Sequence, residues 1–142
     1  MVHFNKANYE FRGKSKNQGK WLYGSLIIGD EEGTAFIQEP NCKPVEVDIE
    51  TVGQFARALD RDGKHIFDGD VLKSEYGDYL QVFPEYAGWA LGDPRMIAVY
   101  DLYDSTLAEV NSRKYRVVGN VFDNPNLLKG VKKNGSKRRT YK

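Results

Sequence analysis

Four aspartates and two glycines are concentrated in residues 59–72, LDRDGKHIFDGDVL, and this acidic segment is the first candidate for chemistry. Oxygen ligands at this density could hold a divalent cation, because Ca²⁺ is bound by carboxylates in loops that turn sharply at a glycine. An EF-hand alignment that places Gly63 at the sixth position puts Ala58 at the first and Gly69 at the twelfth. Neither residue supplies the side-chain oxygen required there, so the segment is not predicted to bind a metal.

The same residues fit a tight turn between two strands. Asp60, at the start of DRDGK, can accept hydrogen bonds from backbone amides two residues on, and Gly63 suits the left-handed position that closes a bulged hairpin. FDGDVL (67–72) predicts a second glycine bend that leads into the next strand. Paired carboxylates could instead serve acid–base catalysis, but that role requires environments that separate their pKa values. Because these acids lie beside Arg61 and Lys64, the sequence favours a solvated turn.

Side chains for other catalytic or metal-binding chemistry are few. The chain has two histidines, His3 and His65, and one cysteine, Cys42, whereas a structural zinc site uses four such ligands. Phosphate-binding glycine loops and the nucleophile motif G-x-S-x-G do not occur in the sequence. We therefore predict no catalytic residue, no cofactor and no metal ligand, and we interpret the chain as a non-enzyme.

The distribution of apolar residues predicts a mainly β protein. Short segments rich in aromatic and β-branched residues alternate with glycine-bearing turns, and they are WLYGSLII (21–28), TAFIQE (34–39), PVEVDI (44–49), YLQVF (79–83), RMIAVYDL (95–102) and KYRVVGNVF (114–122). Residues 48–60 fit either a helix or a strand. Since Gly53 weakens a helix, a short helical turn at 48–52 followed by a strand is predicted. DNPNLLKG (123–130) predicts a final helical turn.

Charge is distributed unevenly along the chain. Seven of the 21 basic residues lie in KGVKKNGSKRRTYK (129–142), which contains no acid, so residues 1–128 carry 14 basic and 20 acidic side chains, a net charge of −6. This basic tail is expected to be disordered alone. Its candidate residues for binding a polyanion are Lys132, Lys133, Lys137, Arg138 and Arg139. The single cysteine, the lack of an apolar signal segment and the short apolar runs predict a soluble cytoplasmic protein without a membrane span.

Seven aromatic residues lie within residues 76–103. Most are expected to fill the core, although aromatic side chains also line the grooves in which small β domains bind peptides, and they stack on unpaired bases. Tyr76, Tyr86 and Trp89 are the candidates for contact with a partner. Trp89 is the best of these, because AGWALGDP places it among turn residues.

The segment TVGQFARALDRDGKHIFDGDVL (51–72) resembles the signature of the YopX-like proteins of bacteriophages and prophages. Two further segments resemble the family in the expected order: FRGK with WLYGSL (11–14 and 21–26) near its start, and VVGNVFDNPNLL (117–128) near its end. The sequence departs from the family at Ala56, Arg57 and Ala58, where T-G-L is usual. Arg57 therefore stands where a glycine is typical.

The resemblance implies an SH3-like small barrel with an N-terminal β extension and short helical turns, and it implies no established activity. We expect one YopX-like domain over residues 1–128, with the extension at 1–50 and the barrel at 51–128. Two functions are favoured over a third possibility, an enzyme of undetected type. The first is a binding or accessory module acting in the bacterial host cytoplasm through protein contacts, self-association included. The second is a nucleic-acid-associated protein that uses the basic tail and exposed aromatics.

Overall fold

Eleven β-strands in two antiparallel sheets make up most of the part of the chain described by the computed structural model, residues 10–85, 88–93, 100–101 and 111–128. The chain divides into two compact units, Met1–Arg57 and Ala58–Lys142. The prediction of a mainly β protein is confirmed. The strands in the described ranges form no closed barrel, so the SH3-like barrel stays a prediction. The single YopX-like domain over residues 1–128 also stays a prediction.

The first unit is built on one antiparallel sheet in the order β4-β3-β2-β1-β5, and its strands are β1 (Phe11–Lys14), β2 (Trp21–Ile28), β3 (Ala35–Gln38), β4 (Val45–Val47) and β5 (Gly53–Leu59). Directly opposed residues share a sheet face. The pairings of Leu26 with Ile37 and of Ile28 with Ala35 therefore place these side chains on the same face as the buried residues Leu22 and Val47. This is the core face of the first sheet.

The core face is curled. Ser15, which follows β1, makes an antiparallel bridge to Val47 of β4, although two strands, β2 and β3, lie between β1 and β4 in the sheet order. Lys16 N donates to Glu46 O at 3.1 Å, and Asp48 N donates to Lys14 O at 2.8 Å. These bonds bring the end of β1 onto the outer edge of β4, so the buried apolar side chains lie inside the curl.

A 3-10 turn at Ile49–Thr51 precedes β5. Asp48 caps its start, because its side chain accepts a hydrogen bond from Glu50 N. The hydroxyl of Thr51 donates to Asp48 O at 2.6 Å and accepts from Lys14 N at 2.9 Å, which ties the turn to β1. The prediction of a short helical turn followed by a strand is confirmed here.

Strand β5 contains a residue in the left-handed region, Arg57 with φ of 59°. Phe55 and Ala56 are both buried, although neighbours in a regular strand point to opposite faces. A bulge at Arg57 accounts for this pattern. A glycine is free of Cβ strain at positive φ, so this conformation agrees with the glycine that the resemblance implies at this position. The Arg57 side chain forms an ion pair with Glu10.

The second unit contains the end of β5 and its sheet neighbour β6 (His65–Phe67), followed by a five-stranded sheet. The order of that sheet is β10-β9-β8-β7-β11, and its strands are β7 (Asp70–Ser74), β8 (Tyr79–Glu85), β9 (Gly88–Gly92), β10 (Tyr100–Asp101) and β11 (Tyr115–Asn120). Val71 and Leu72 are adjacent in β7 and both are fully buried. Both faces of this strand are therefore covered.

Helical structure in the second unit is short. A 3-10 turn at Asn111–Lys114 leads into β11. Residues 126–128 are helical, which agrees with the predicted final turn as far as residue 128, while residues 129–130 lie outside the described ranges. Within the part of the chain that the structure describes, no helix is both long and apolar enough to cross a membrane.

Candidate functional site

The carboxylate of Asp60 organises the DRDGK turn. Asp60 Oδ1 accepts hydrogen bonds from the amide nitrogens of Asp62 and Lys64, both at 2.8 Å. The backbone closes the same turn, because Gly63 N donates to Asp60 O at 3.0 Å and Asp60 N donates to Lys64 O at 2.8 Å. Gly63 has φ of 84°. The predicted turn and its left-handed glycine are confirmed.

The second carboxylate oxygen of Asp60 binds the edge of β11. Asp60 Oδ2 accepts from Val117 N at 2.9 Å, and the neighbouring Arg61 N donates to Tyr115 O at 2.8 Å. β11 is the last strand of its sheet, and an edge strand presents backbone groups that need partners. The acidic turn supplies two of those partners, so it covers this edge.

The prediction that these acids are solvated is wrong for two of them. Asp60 has no exposed surface, and Asp70 is 2% exposed. The charged neighbours Arg61 and Lys64 are themselves exposed, so their presence in the sequence did not indicate where the aspartates point. A buried carboxylate must be matched by hydrogen-bond donors. Backbone amides provide them for Asp60.

Asp62 differs from Asp60 because it faces solvent. Arg116 Nε donates to Asp62 Oδ2 at 2.7 Å, and both side chains are about half exposed. The hydrogen bond from Arg116 lowers the pKa of the Asp62 carboxyl and raises the pKa of the Arg116 guanidinium. This surface ion pair adds a side-chain contact to the backbone bonds between the turn and β11.

The second glycine bend is also a backbone junction. Asp70 Oδ2 accepts from Phe67 N at 2.8 Å. Gly69, with φ of 91°, donates from N to Val82 O at 2.9 Å and accepts at O from Val121 N at 2.9 Å. The predicted bend at FDGDVL is confirmed, and its backbone joins β8 to the end of β11.

The closing segment VVGNVFDNPNLL builds a third turn from side-chain amides. Asn120 Oδ1 accepts from Phe122 N at 3.0 Å and from Asp123 N at 2.9 Å. Asn124 Oδ1 accepts from Asn120 N at 3.2 Å. A Cβ on Gly119 would lie 2.4 Å from Asn124 Oδ1, so only glycine leaves room for this bond.

The chemistry-bearing residues thus stabilise turns and strand edges. Within the described ranges, no group of three or more His, Cys, Asp or Glu side chains comes together to hold a metal ion. His65 lies half-buried in β6, and Cys42 is exposed in the loop before β4. The structure brings none of the described His or Cys side chains into a metal-binding group with these aspartates.

The aromatic candidates are placed differently from one another. Tyr76 is 85% exposed at the tip of the β7–β8 hairpin. Trp89 is half-buried and lies inside β9, paired with Pro84, so its predicted place among turn residues is wrong. Tyr86 lies outside the described residues, as do the tail cations Lys132, Lys133, Lys137, Arg138 and Arg139.

The structure adds a contact that the sequence did not predict, in which two cations lie around Trp21. The guanidinium carbon of Arg12 lies 4.6 Å from the Trp21 ring centroid, and Lys14 Nζ lies 5.6 Å from it. Cations at these distances are attracted by the ring quadrupole. The alternation of Arg12 and Lys14 around Gly13, followed by an aromatic-rich strand, is the signal that could have indicated this pairing.

The comparisons with known proteins agree with the fold. The crystal structure of protein EF1440 from Enterococcus faecalis matches with a TM-score of 0.51 and 15% sequence identity, over 84% of this chain and 96% of that chain. That identity supports a likeness of fold alone. The search of curated proteins gave no match. A family model described as YopX protein matches residues 10–129. The chain therefore belongs to the YopX family.

Proposed function

We propose that this YopX-family chain is a non-enzymatic binding or accessory module of a bacteriophage or prophage, acting in the bacterial host cytoplasm through protein contacts. The observation that carries the proposal is the 85% exposed side chain of Tyr76. Removing the apolar surface of such a ring from water is favourable. A bound partner that covers Tyr76 would therefore gain this free energy.

The hairpin that presents Tyr76 is held by a network centred on Ser74. Ser74 Oγ accepts from Tyr76 N and from Asp78 N, both at 3.1 Å. Ser74 N donates to Asp78 O at 2.9 Å, and Gly77, with φ of 92°, donates from N to Ser74 O at 3.1 Å. The backbone under Tyr76 is therefore ordered before any partner arrives.

An ordered, exposed tyrosine suits protein recognition for two reasons. Tyrosine is enriched among the few interface residues that dominate binding energy. It also has two side-chain torsions, so a partner that buries it orders few degrees of freedom. Trp89 of β9 is half-buried and paired with the exposed Pro84 of β8, and it is a second aromatic of the same unit that a partner could contact.

The test compares full-length protein with Tyr76→Ala. Tagged protein is used to capture partners from infected or lysogenic cells, and each captured protein is then purified and titrated. Tyr76→Ala should weaken the binding of at least one partner by about thirtyfold, which corresponds to a hot-spot residue. Glu75→Ala, at the neighbouring exposed position, is the matched control and should change binding less than about threefold.

Tyr76→Ala should affect binding without affecting folding. Thermal melts of Tyr76→Ala and of the unmodified protein should agree, since the ring is exposed. If every captured protein binds both forms equally, Tyr76 is not the contact residue. If no purified protein binds the full-length chain, the proposal of a protein-binding module is wrong.

The charge asymmetry supports nucleic-acid binding as a second candidate function. The tail at 129–142 concentrates seven cations without an acid, while residues 1–128 carry a net charge of −6. Polyanion binding would therefore depend on the tail, because the rest of the chain repels phosphate. A chain that ends at Leu128 lacks these cations and should lose this binding.

A further inference from the structure

The basic residues of the second unit before the tail are concentrated in one place. Residues 58–128 carry seven basic and twelve acidic side chains, a net charge of −5. Six of these basic residues lie within the described ranges, and all six are exposed. We call them the cationic patch, which consists of Arg61, Lys64, Lys73, Arg113, Lys114 and Arg116.

Backbone pairing brings the cationic patch together around the start of β11. The two cations of the 3-10 turn directly precede this strand. Arg116 of β11 lies directly opposite Lys73 of β7. On the other side of β11, Arg61 N donates to Tyr115 O at 2.8 Å, and Lys64 lies in the same turn as Arg61. Three adjacent backbone segments therefore carry the patch across about 10 Å.

Most cations of the patch are not neutralised by an ion pair. The described part of the chain gives no ion pair to four of them, which are Arg61, Lys64, Arg113 and Lys114. Lys73 Nζ lies 5.3 Å from the Tyr79 ring centroid, and a contact with a ring leaves the ammonium charge in place. The patch therefore keeps positive charge that can act on a ligand.

The acids beside the patch do not cancel its charge. Asp62 faces three of the cations, because the hydrogen bond from Arg116 lowers the pKa of its carboxyl and the charges of the two basic turn residues lower it further. Asp60 is buried and bound by backbone amides. Among the described residues, Glu75 and Asp78 of the β7–β8 hairpin are the other acids beside the patch. Six cations against the three acids outside the core leave a net charge of +3, counted over the described residues.

The opposite end of the same strands is acidic. Asp68 precedes β7, Glu85 ends β8 and Asp123 follows β11. Because β7 is antiparallel to both β8 and β11, these three acids lie at the same end of the sheet. β11 has six residues and is about 17 Å long, which exceeds the Debye length of about 8 Å at physiological salt. A ligand at the patch is therefore screened from the acidic end.

We propose that the cationic patch binds a short acidic segment of a protein partner. Its arginines present guanidinium groups that can donate two parallel hydrogen bonds to one carboxylate. Its lysines add positive charge beside them. The proposal rests on the protein-binding function assigned above, and it adds the chemistry of the partner and a contact surface apart from the ring of Tyr76.

The size of the patch favours an acidic protein segment over a nucleic acid. A length of about 10 Å corresponds to three residues of an extended chain, at about 3.3 Å per residue. A run of Asp and Glu can begin and end within that length. A nucleic acid is charged along its whole length, so it would continue past the patch onto the acidic end of the sheet.

The patch is expected to steer and orient the partner more than to hold it. Exposed ion pairs contribute little each and are screened by salt. Complementary charge raises the rate of encounter and disfavours partners of the wrong charge. The binding of an acidic probe to the patch should therefore fall steeply as salt is added.

The first test maps where an acidic probe binds on the full-length protein. A labelled peptide of about eight glutamates is coupled to lysine amines with a carbodiimide, and mass spectrometry locates the adducts. Each yield is divided by the yield of the same lysine with a single labelled glutamate, which corrects for reactivity. At about 50 mM salt, Lys64, Lys73 and Lys114 should be enriched about tenfold over Lys43, an exposed lysine of the first unit.

The second test uses a captured protein whose binding depends on Tyr76. Lys114→Glu and Lys64→Glu should each weaken its binding about threefold to tenfold at about 50 mM salt, and the loss should shrink at about 500 mM. Lys43→Glu makes the same change of net charge at an exposed position. As the matched control, it should weaken binding less than about twofold. Thermal melts of the three variants should agree with that of the unmodified protein, because these side chains are exposed.

Mixed-sequence DNA at the same concentration of charge is the competitor that separates the two classes of ligand. It should displace the peptide from the tail lysines and leave the adducts on the patch. Displacement from the patch as well would show a general polyanion site and would overturn the choice of a protein segment.

Two further results would overturn the proposal. They are equal enrichment of the patch lysines and Lys43, and equal effects of Lys114→Glu and Lys43→Glu on a captured protein. The peptide map uses the unmodified protein, so it decides the matter even if a variant fails to fold. It also uses neither Tyr76 nor a captured protein, so failure of this proposal and failure of the function proposed above can be told apart.

Discussion

A single carboxylate, that of Asp60, connects the DRDGK turn to strand β11. Its two oxygens accept three backbone hydrogen bonds while the residue is fully buried. Without the carboxylate, each of these amides that stays away from water would lack a partner, at a cost of about 1–3 kcal/mol. The carboxylate of Asp60 thus has a direct role in folding, because it joins this segment to β11.

The Asp60→Asn variant should unfold more easily by about 2–3 kcal/mol. An asparagine retains one oxygen for two amides but turns its NH₂ group toward the amide of Val117, so two donors face each other. Asp62→Asn is the matched control and should change stability little, because exposed ion pairs contribute little. Urea unfolding of both variants measures the difference. Equal stability of the two variants would contradict the buried role of Asp60.

The Asp62–Arg116 pair predicts a dependence on pH. The hydrogen bond from Arg116 lowers the pKa of Asp62 in the folded protein. The contribution of this ion pair to the free energy of unfolding is therefore complete above the ordinary aspartate pKa of about 3.9. It is lost as pH falls through the lowered folded pKa. The small stability difference between the unmodified protein and Asp62→Asn should therefore shrink below about pH 4. A difference that grows in acid would mean that Asp62 is stabilised in its protonated form.

At the level of strands and turns, glycines act by two separate mechanisms. Gly63 has positive φ and open space around its missing Cβ, whereas a Cβ on Gly24 would lie 2.1 Å from Gln38 O. The first glycine is required by backbone conformation and the second by close approach of β2 to the end of β3. Substitution by alanine should distinguish them.

Gly63→Ala should destabilise the protein by about 1–2 kcal/mol, the strain of a left-handed residue. Gly24→Ala should cost about 3 kcal/mol or more, because the backbone carbonyl must move to relieve the overlap. Chemical denaturation of the two variants provides the comparison. A neutral Gly63→Ala would show that the hairpin adopts ordinary backbone angles.

Arg57 predicts a stabilising substitution. At φ of 59°, a residue with a Cβ carries strain of about 1–2 kcal/mol. A glycine avoids this strain, but its greater flexibility favours the unfolded chain and offsets part of the gain. Arg57→Gly should therefore stabilise the protein by up to about 1 kcal/mol. Arg57→Ala is the control, since it removes the ion pair with Glu10 and keeps the strain, and it should not stabilise. Stabilisation by both variants would assign the effect to the arginine side chain.

At the level of the whole chain, residues 1–128 are acidic and the tail at residues 129–142 is basic. Residues 129–142 contain one aliphatic residue, Val131, so burial can offset little of their ordering entropy. A chain that ends at Leu128 should melt within about two degrees of the full-length protein. A larger loss would show that the tail stabilises the folded part.

Binding to mixed-sequence DNA and RNA tests the same tail. If all seven cations contact duplex phosphates, the logarithm of the affinity should fall against the logarithm of salt concentration with a slope of about −6. The chain that ends at Leu128 should not bind, since its net charge is negative. If the full-length protein shows no salt-sensitive binding at about 50 mM salt, nucleic-acid binding through the tail is excluded.

The sequence alone determined the properties that depend on neighbouring residues. The DRDGK turn, its left-handed glycine, the helical turn before β5 and most strands of the two sheets follow from local backbone preferences and from the alternation of side chains. The segments that resemble the YopX family also stand in the linear sequence, and the family model confirms them over residues 10–129.

Only the tertiary structure decided what each of these residues contacts. The sequence beside Asp60 is charged, yet Asp60 is buried because β11, more than fifty residues later, brings an amide to its carboxylate. The left-handed backbone of Arg57, with φ of 59°, is visible only in the structure. Pairing between distant strands depends on burial summed over the whole chain, and no local pattern contains that sum.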